Sequence, residues 1–123
     1  MSLIYGDQFI GQISLNEINY IFRGLFFNCG NLLDASNLIL PATTLTQGCY
    51  YDMFKNCASI TKAPELPATR LVDYCYYQIF NGCTNLNYIK MMATYIPLIS
   101  GCTDNWVDGV AANGIFVKNA SAD

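Results

Sequence analysis

Cys49-Tyr-Tyr-Asp-Met-Phe-Lys-Asn-Cys57 returns 26 residues later as Cys75-Tyr-Tyr-Gln-Ile-Phe-Asn-Gly-Cys83. Leu40-Pro-Ala-Thr-Thr-Leu45 comes back as Leu66-Pro-Ala-Thr-Arg-Leu71 at the same offset. A fixed period of roughly 20–50 residues marks a chain that stacks one supersecondary unit on the next, and it outranks any local motif. Working outward, Ile21, Leu25 and Phe26 align with Cys49, Met53 and Phe54, then with Cys75, Ile79 and Phe80, and finally with Cys102, Trp106 and Val107. The spacing from Cys29 to Cys57 is 28 residues and from Cys57 to Cys83 is 26, the extra pair falling near Asn37–Ile39 as a loop-type insertion.

Leu71, Cys75, Ile79 and Phe80 stand at i, i+4, i+8 and i+9, which predicts one face of a short helix. Thr43 and Thr69 are placed to cap such helices, and Asn81-Gly82 and Asp108-Gly109 to end them in left-handed backbone. The other half of each unit carries apolar residues at steps of three (Cys57, Ile60, Ala63, Leu66). Pro64 and Pro67 have no N–H for a ladder, so the strand there should be short, around Ile60 to Ala63. One short strand and one helix per unit would stack into an α/β solenoid, parallel strands on one face and helices on the other. The expected division is an N-terminal cap or degenerate repeat over 1–20, repeats over 21–48, 49–74 and 75–101, and a C-terminal cap and tail over 102–123 with a last strand at Ile115-Phe-Val117.

Composition narrows the function. Of 123 residues 53% are hydrophobic and 12% charged, which excludes disorder. Six basic against nine acidic residues give a net charge of −3 without runs, so no basic stripe exists to neutralise phosphates and nucleic acid is not an expected partner. Met1 to Asp7 lacks the basic and apolar regions of a secretory signal. The apolar runs, cut by Pro97 or Gly101, fall short of the roughly 20 residues a bilayer requires, so membrane insertion is not expected.

The chemistry-bearing residues form no catalytic set. Six cysteines occur with no histidine. Cys49 and Cys57, like Cys75 and Cys83, are separated by seven residues, unlike the close pairs of zinc sites. A cysteine nucleophile would lack its base, and no two carboxylates pair across an evident pocket. Catalytic residues, metal ligands and cofactors are therefore not expected. Ile21 stands at the position of Cys49 and Val110 at that of Cys83, so the cysteines read as small buried hydrophobes, with disulfides between stacked equivalents as the alternative. Two sets of binding candidates remain. Leu33 and Asp34, Thr61 and Lys62, and Asn87 and Tyr88 change from repeat to repeat while the core is kept, as on a recognition surface. Tyr50 and Tyr76 align, as do Tyr51 and Tyr77, giving two ring columns that either cement neighbouring repeats or form a binding strip on the helical face.

The repeated Cys-Tyr-x-x-[Met/Ile]-Phe-x-[Asn/Gly]-Cys-x-[Ser/Asn]-[Ile/Leu], with Ala-Pro-Glu-Leu-Pro-Ala-Thr and the terminal Asn-Tyr-Ile-Lys-Met-Met-Ala-Thr, resembles the BspA-like leucine-rich-repeat family of bacterial surface proteins over residues 21–119. The resemblance implies a leucine-rich-repeat solenoid, a cell-surface or secreted location, and non-enzymatic adhesion to a protein or host-surface glycoprotein. The alternative expectation is a structural role, as a self-associating component of a surface layer or phage-type appendage, with the chain as a homo-oligomer.

Overall fold

The computed structural model describes residues 18–40, 42–97 and 101–119. The expected cap over 1–20 lies almost wholly outside these residues, as do Pro41, Leu98 and the tail beyond Asn119.

The chain does not form the α/β leucine-rich-repeat solenoid expected from its sequence. Among the described residues there are no helices, and the strands are two: β1 (Tyr88–Met91) and β2 (Ile115–Lys118), paired in parallel with Tyr88 opposite Ile115 and Met91 opposite Lys118. The segments expected to be helical are runs of tandem turns over 19–28, 47–56, 73–82 and 102–109. Within them φ turns positive at every fourth residue: Tyr20, Gly24 and Asn28; Gly48, Asp52 and Asn56; Tyr74, Gln78 and Gly82; Gly101, Asn105 and Gly109. A left-handed residue every four positions prevents a right-handed helix from propagating, since each would cost about 1–2 kcal/mol in a regular helix. It suits overlapping turns, because a turn of type II requires positive φ at its third residue.

The hydrogen bonds follow the same alternation. In the first run Arg23, Leu25, Phe27 and Cys29 donate back three residues, to Tyr20, Phe22, Gly24 and Phe26. The residues between them donate forward to the next coil: Tyr20 to Gln47, Phe22 to Cys49, Gly24 to Tyr51, Phe26 to Met53 and Asn28 to Lys55, all at 2.8–3.0 Å. Gly48, Tyr50, Asp52, Phe54 and Asn56 repeat this onto Asp73, Cys75, Tyr77, Ile79 and Asn81. Tyr76, Gln78, Phe80 and Gly82 repeat it onto Cys102, Asp104, Trp106 and Asp108. The turn runs thus form a hydrogen-bonded sheet without strands, each coil laid on the next.

The opposite side is a narrow parallel ladder. Asp34 bridges Lys62, Lys62 bridges Tyr88, and Tyr88 pairs with Ile115. Between the bridges at Lys62–Tyr88 and Leu66–Met91 one coil uses four steps where its neighbour uses three, and Pro64 sits in that bulge, so the ladder breaks into isolated bridges there. Residues Lys90 and Met91, facing no proline in their own coil, continue β1 instead.

The core fills the space between the two sides. In each run two neighbouring residues point in and the next two point out. Cys49, Tyr50, Met53, Phe54 and Cys57 are buried, as are Cys75, Tyr76, Ile79, Phe80 and Cys83. They pack against Ile60, Leu66, Leu86, Ile89 and Met91 from the ladder side. Equivalent rings stack between coils: Phe22 on Tyr50 and Tyr50 on Tyr76 at 5.8 and 6.0 Å, and Phe26 on Phe54 and Phe54 on Phe80 at 5.2 and 5.8 Å. Five cysteines lie in this interior, and Cys29 is exposed. Cys57 and Cys83 donate their thiols to the carbonyls of Phe26 and Phe54, each at 3.0 Å. Burial pushes Cys49 and Cys83 up to about 12, which keeps them as thiols at neutral pH.

Candidate functional site

The two tyrosine columns separate. Tyr50 and Tyr76 are interior and present nothing to a ligand. Burial pushes both phenols above the ordinary tyrosine range, and neither hydroxyl has a hydrogen-bond partner. A buried hydroxyl left unpaired costs about 1–3 kcal/mol. Phe22 occupies the same position in the first coil, stacked on Tyr50. Tyr76→Phe is therefore expected to raise stability by about 1 kcal/mol, read as a higher denaturant midpoint with an unchanged slope.

Tyr51 and Tyr77, one residue further along, point outward. Their rings stack with centroids 4.5 Å apart. Tyr74 meets Tyr77 edge-on at 5.7 Å, and Tyr20 meets Tyr51 edge-on at 5.8 Å. Arg23 lies over the Tyr51 ring at 4.8 Å. Tyr20, Tyr51, Tyr74 and Tyr77 with Asp104 line an open depression of about 510 Å³. The column reads Arg23, Tyr51, Tyr77, Asp104, one residue from each coil in equivalent positions: a cation at one end, two rings, an anion at the other. Tyr20 and Tyr74 flank it because the position before Ile21, Cys49, Cys75 and Cys102 alternates Tyr20, Gly48, Tyr74, Gly101. Each tyrosine ring lies over the following coil's glycine, where a Cβ on Gly101 would stand 2.6 Å from Tyr74 Cε1. Sequence reasoning found Tyr51 and Tyr77 but passed over Arg23, Asp104, Tyr20 and Tyr74. The repeat alignment carried the signal, since Arg23 and Asp104 stand two residues after Ile21 and Cys102 as Tyr51 and Tyr77 do after Cys49 and Cys75.

No known protein family, characterised protein or solved structure matches this chain. The geometry of its two faces therefore carries the functional argument.

The ladder-side candidates lie together on an open surface. Leu33, Asp34, Thr61, Lys62 and Asn87 are exposed and Tyr88 is half-buried. Asp34, Lys62 and Tyr88 follow one another across the bridges, and Thr61 Oγ1 donates to the Leu33 carbonyl at 3.3 Å. The Ser36 hydroxyl and the Ser36 N–H, which donates to the Asp34 carboxylate at 2.7 Å, hold Asp34 below the usual carboxylate range, with Lys62 adding to the effect. The surface changes from apolar at Leu33 to charged at Asp34 and Lys62 and back to aromatic at Tyr88. Asn87 and Tyr88 also line an apolar cleft of about 300 Å³ between the last two coils, together with Leu86, Trp106, Val107 and Phe116 among others. Val107 fills less space there than its equivalent Phe80 does one coil earlier.

Asp52, next to Tyr51 in the chain, is left-handed and half-buried, with Oδ1 unpartnered. Burial raises its pKa, and Lys55 and Arg23 offset the rise in part. A carboxyl that holds its proton more tightly when folded favours the fold below its unfolded value and loses that contribution as pH rises through the folded value. Asp52→Asn tolerates the left-handed backbone and removes the charge. The variant is expected to be more stable than the parent at neutral pH, with the difference vanishing well below 3.8, the ordinary carboxylate value. Urea titrations at the two extremes check the sign.

Among the described residues no group of three or more histidine, cysteine or acidic side chains is placed to hold a metal ion. Among the same residues no helix is long and apolar enough to cross a membrane.

Proposed function

We propose that this chain is a non-enzymatic binding module that engages a protein or a host-surface glycoprotein through the outward face of its turn runs. The observation that carries the reading is the aromatic depression. Four tyrosines held rigidly by inter-coil hydrogen bonds present ring faces, edges and hydroxyls together, with Arg23 and Asp104 at its ends. Tyrosine supplies contact area at low entropic cost, and a preorganised aromatic cluster is how binding surfaces concentrate their energy. The resemblance to BspA-like surface proteins supports a cell-surface or secreted setting. The chain's chemistry supports binding over catalysis, since it has no histidine and its interior thiols are held protonated.

Captured host glycoproteins and immobilised glycans, probed with the full chain, test the proposal. Tyr51→Ala with Tyr77→Ala is expected to abolish binding, and Lys62→Ala with Tyr88→Ala to leave it within about twofold, a change of only a few tenths of a kcal/mol. The reverse pattern would move the site to the ladder face. No binding to any glycoprotein or glycan in the panel would reject the proposal.

A further inference from the structure

We infer that the chain assembles head-to-tail with copies of itself, the last turn run of one copy seated on the first turn run of the next. The two ends of the turn sheet are complementary. In the last run the N–H groups of Gly101, Thr103, Asn105, Val107 and Gly109 occupy positions that donate forward in earlier coils, and among the described residues they have no acceptor. In the first run the carbonyls of Asn19, Ile21, Arg23, Leu25 and Phe27 occupy positions that accept in later coils, and among the described residues they have no donor. Five donors at one end thus match five acceptors at the other, in the register already used twice in full inside the chain. Unpaired rows of this kind template the addition of another chain.

Three independent features continue across the same junction. The outward column Arg23, Tyr51, Tyr77, Asp104 would place the Asp104 carboxylate of one copy beside the Arg23 guanidinium of the next. The flanking alternation Tyr20, Gly48, Tyr74, Gly101 would resume at Tyr20 without a break. Part of the core is exposed at the first coil although Phe22 there is buried: Leu25 is 42% exposed where its equivalents Met53 and Ile79 are fully buried, and Cys29 is exposed where Cys57 and Cys83 are buried. At the far end Ile115 and Phe116 on β2 are 63% and 54% exposed. A head-to-tail contact between unlike surfaces does not use itself up in a dimer, so the assembly is open-ended.

Sedimentation velocity and light scattering of the full chain over a wide concentration range test this. The average mass is expected to climb past the dimer as concentration rises. Arg23→Asp alone and Asp104→Arg alone set like charges against each other and are each expected to weaken association about tenfold or more. The double variant Arg23→Asp with Asp104→Arg restores an opposite pair and is expected to recover association, which a merely misfolded variant would not do. Circular dichroism melts of each variant accompany the sizing. A monomer at every concentration would overturn the inference. So would a closed dimer that grows no further, or association indifferent to both charge reversals. Each of these readouts is independent of glycoprotein binding.

Discussion

Phe54→Ala is expected to lower stability by about 3–5 kcal/mol, a large share of what a domain of this size possesses. Phe54 is fully buried, its ring lies between Phe26 and Phe80, and its N–H donates to Ile79. Truncation removes the ring's own burial and opens a void with a ring on either side. The coils above and below are fixed by backbone bonds on both the turn and ladder sides, so the void cannot close by one element sliding inward. Phe26→Ala is the control. Phe26 is half-buried in the first coil and should cost clearly less. Chemical denaturation of the two variants measures the gap, and equal losses would mean that the coils do not stack as described.

Gly48→Val is expected to cost about 3 kcal/mol, from two sources that add at one site. The position has φ near 61°, and a β-branched residue there is a backbone outlier. A Cβ on Gly48 would also run into the Tyr20 ring, forcing that side chain off the Tyr51 edge where it helps wall the depression. Overpacking of this kind typically costs about 1–3 kcal/mol. Gln78→Gly provides the opposite sign. Gln78 also has positive φ, at 52°, so glycine is expected to be neutral or stabilising there. In a helix the same change would destabilise by about 1 kcal/mol. The pair of melts therefore separates tandem turns from a helix by direction as well as by size.

Much of the arrangement is legible in the sequence. The 26-residue offset places Cys49 against Cys75 and Phe54 against Phe80, and these do stack. The last strand at Ile115 is where the apolar triplet puts it, and Lys62 bridges its neighbours within the short stretch left by Pro64. What was misread is the local geometry of the other half. Leu71, Cys75, Ile79 and Phe80 repeat at four, and over nine residues a period of 4.0 differs too little from 3.6 to be told from a helical face. The discriminating signal was on the outward side. Gly24 and Asn28, Asp52 and Asn56, Gly82, Asn105 and Gly109 recur every fourth position, and these residue types tolerate left-handed backbone. Asn81-Gly82 and Asp108-Gly109 do carry left-handed backbone, at Gly82 and Gly109, but as members of a series and not as the end of a helix. Tyr20, Tyr74 and Gln78 hide that series, because side chains of their size seldom adopt positive φ. The aromatic strip was half legible for a related reason. Aligned tyrosines are visible in a repeat, but which of two neighbouring columns faces in depends on the turn geometry.

Among the described residues, every backbone hydrogen bond between turn runs goes the same way, from the N–H of one coil to the carbonyl of the next. Half of the peptide groups in each run therefore align their dipoles along the stacking direction, at about 3.5 D apiece. The sum makes the last coil the positive pole and the first coil the negative pole, opposite in chain sense to an α-helix. Asp104 and Asp108 stand exposed at the positive pole and Arg23 stands at the negative one, so the side-chain charges oppose the field of the backbone. A stack of coils of this kind has a polarity that grows with its length, and the charge placed at either end is selected by it.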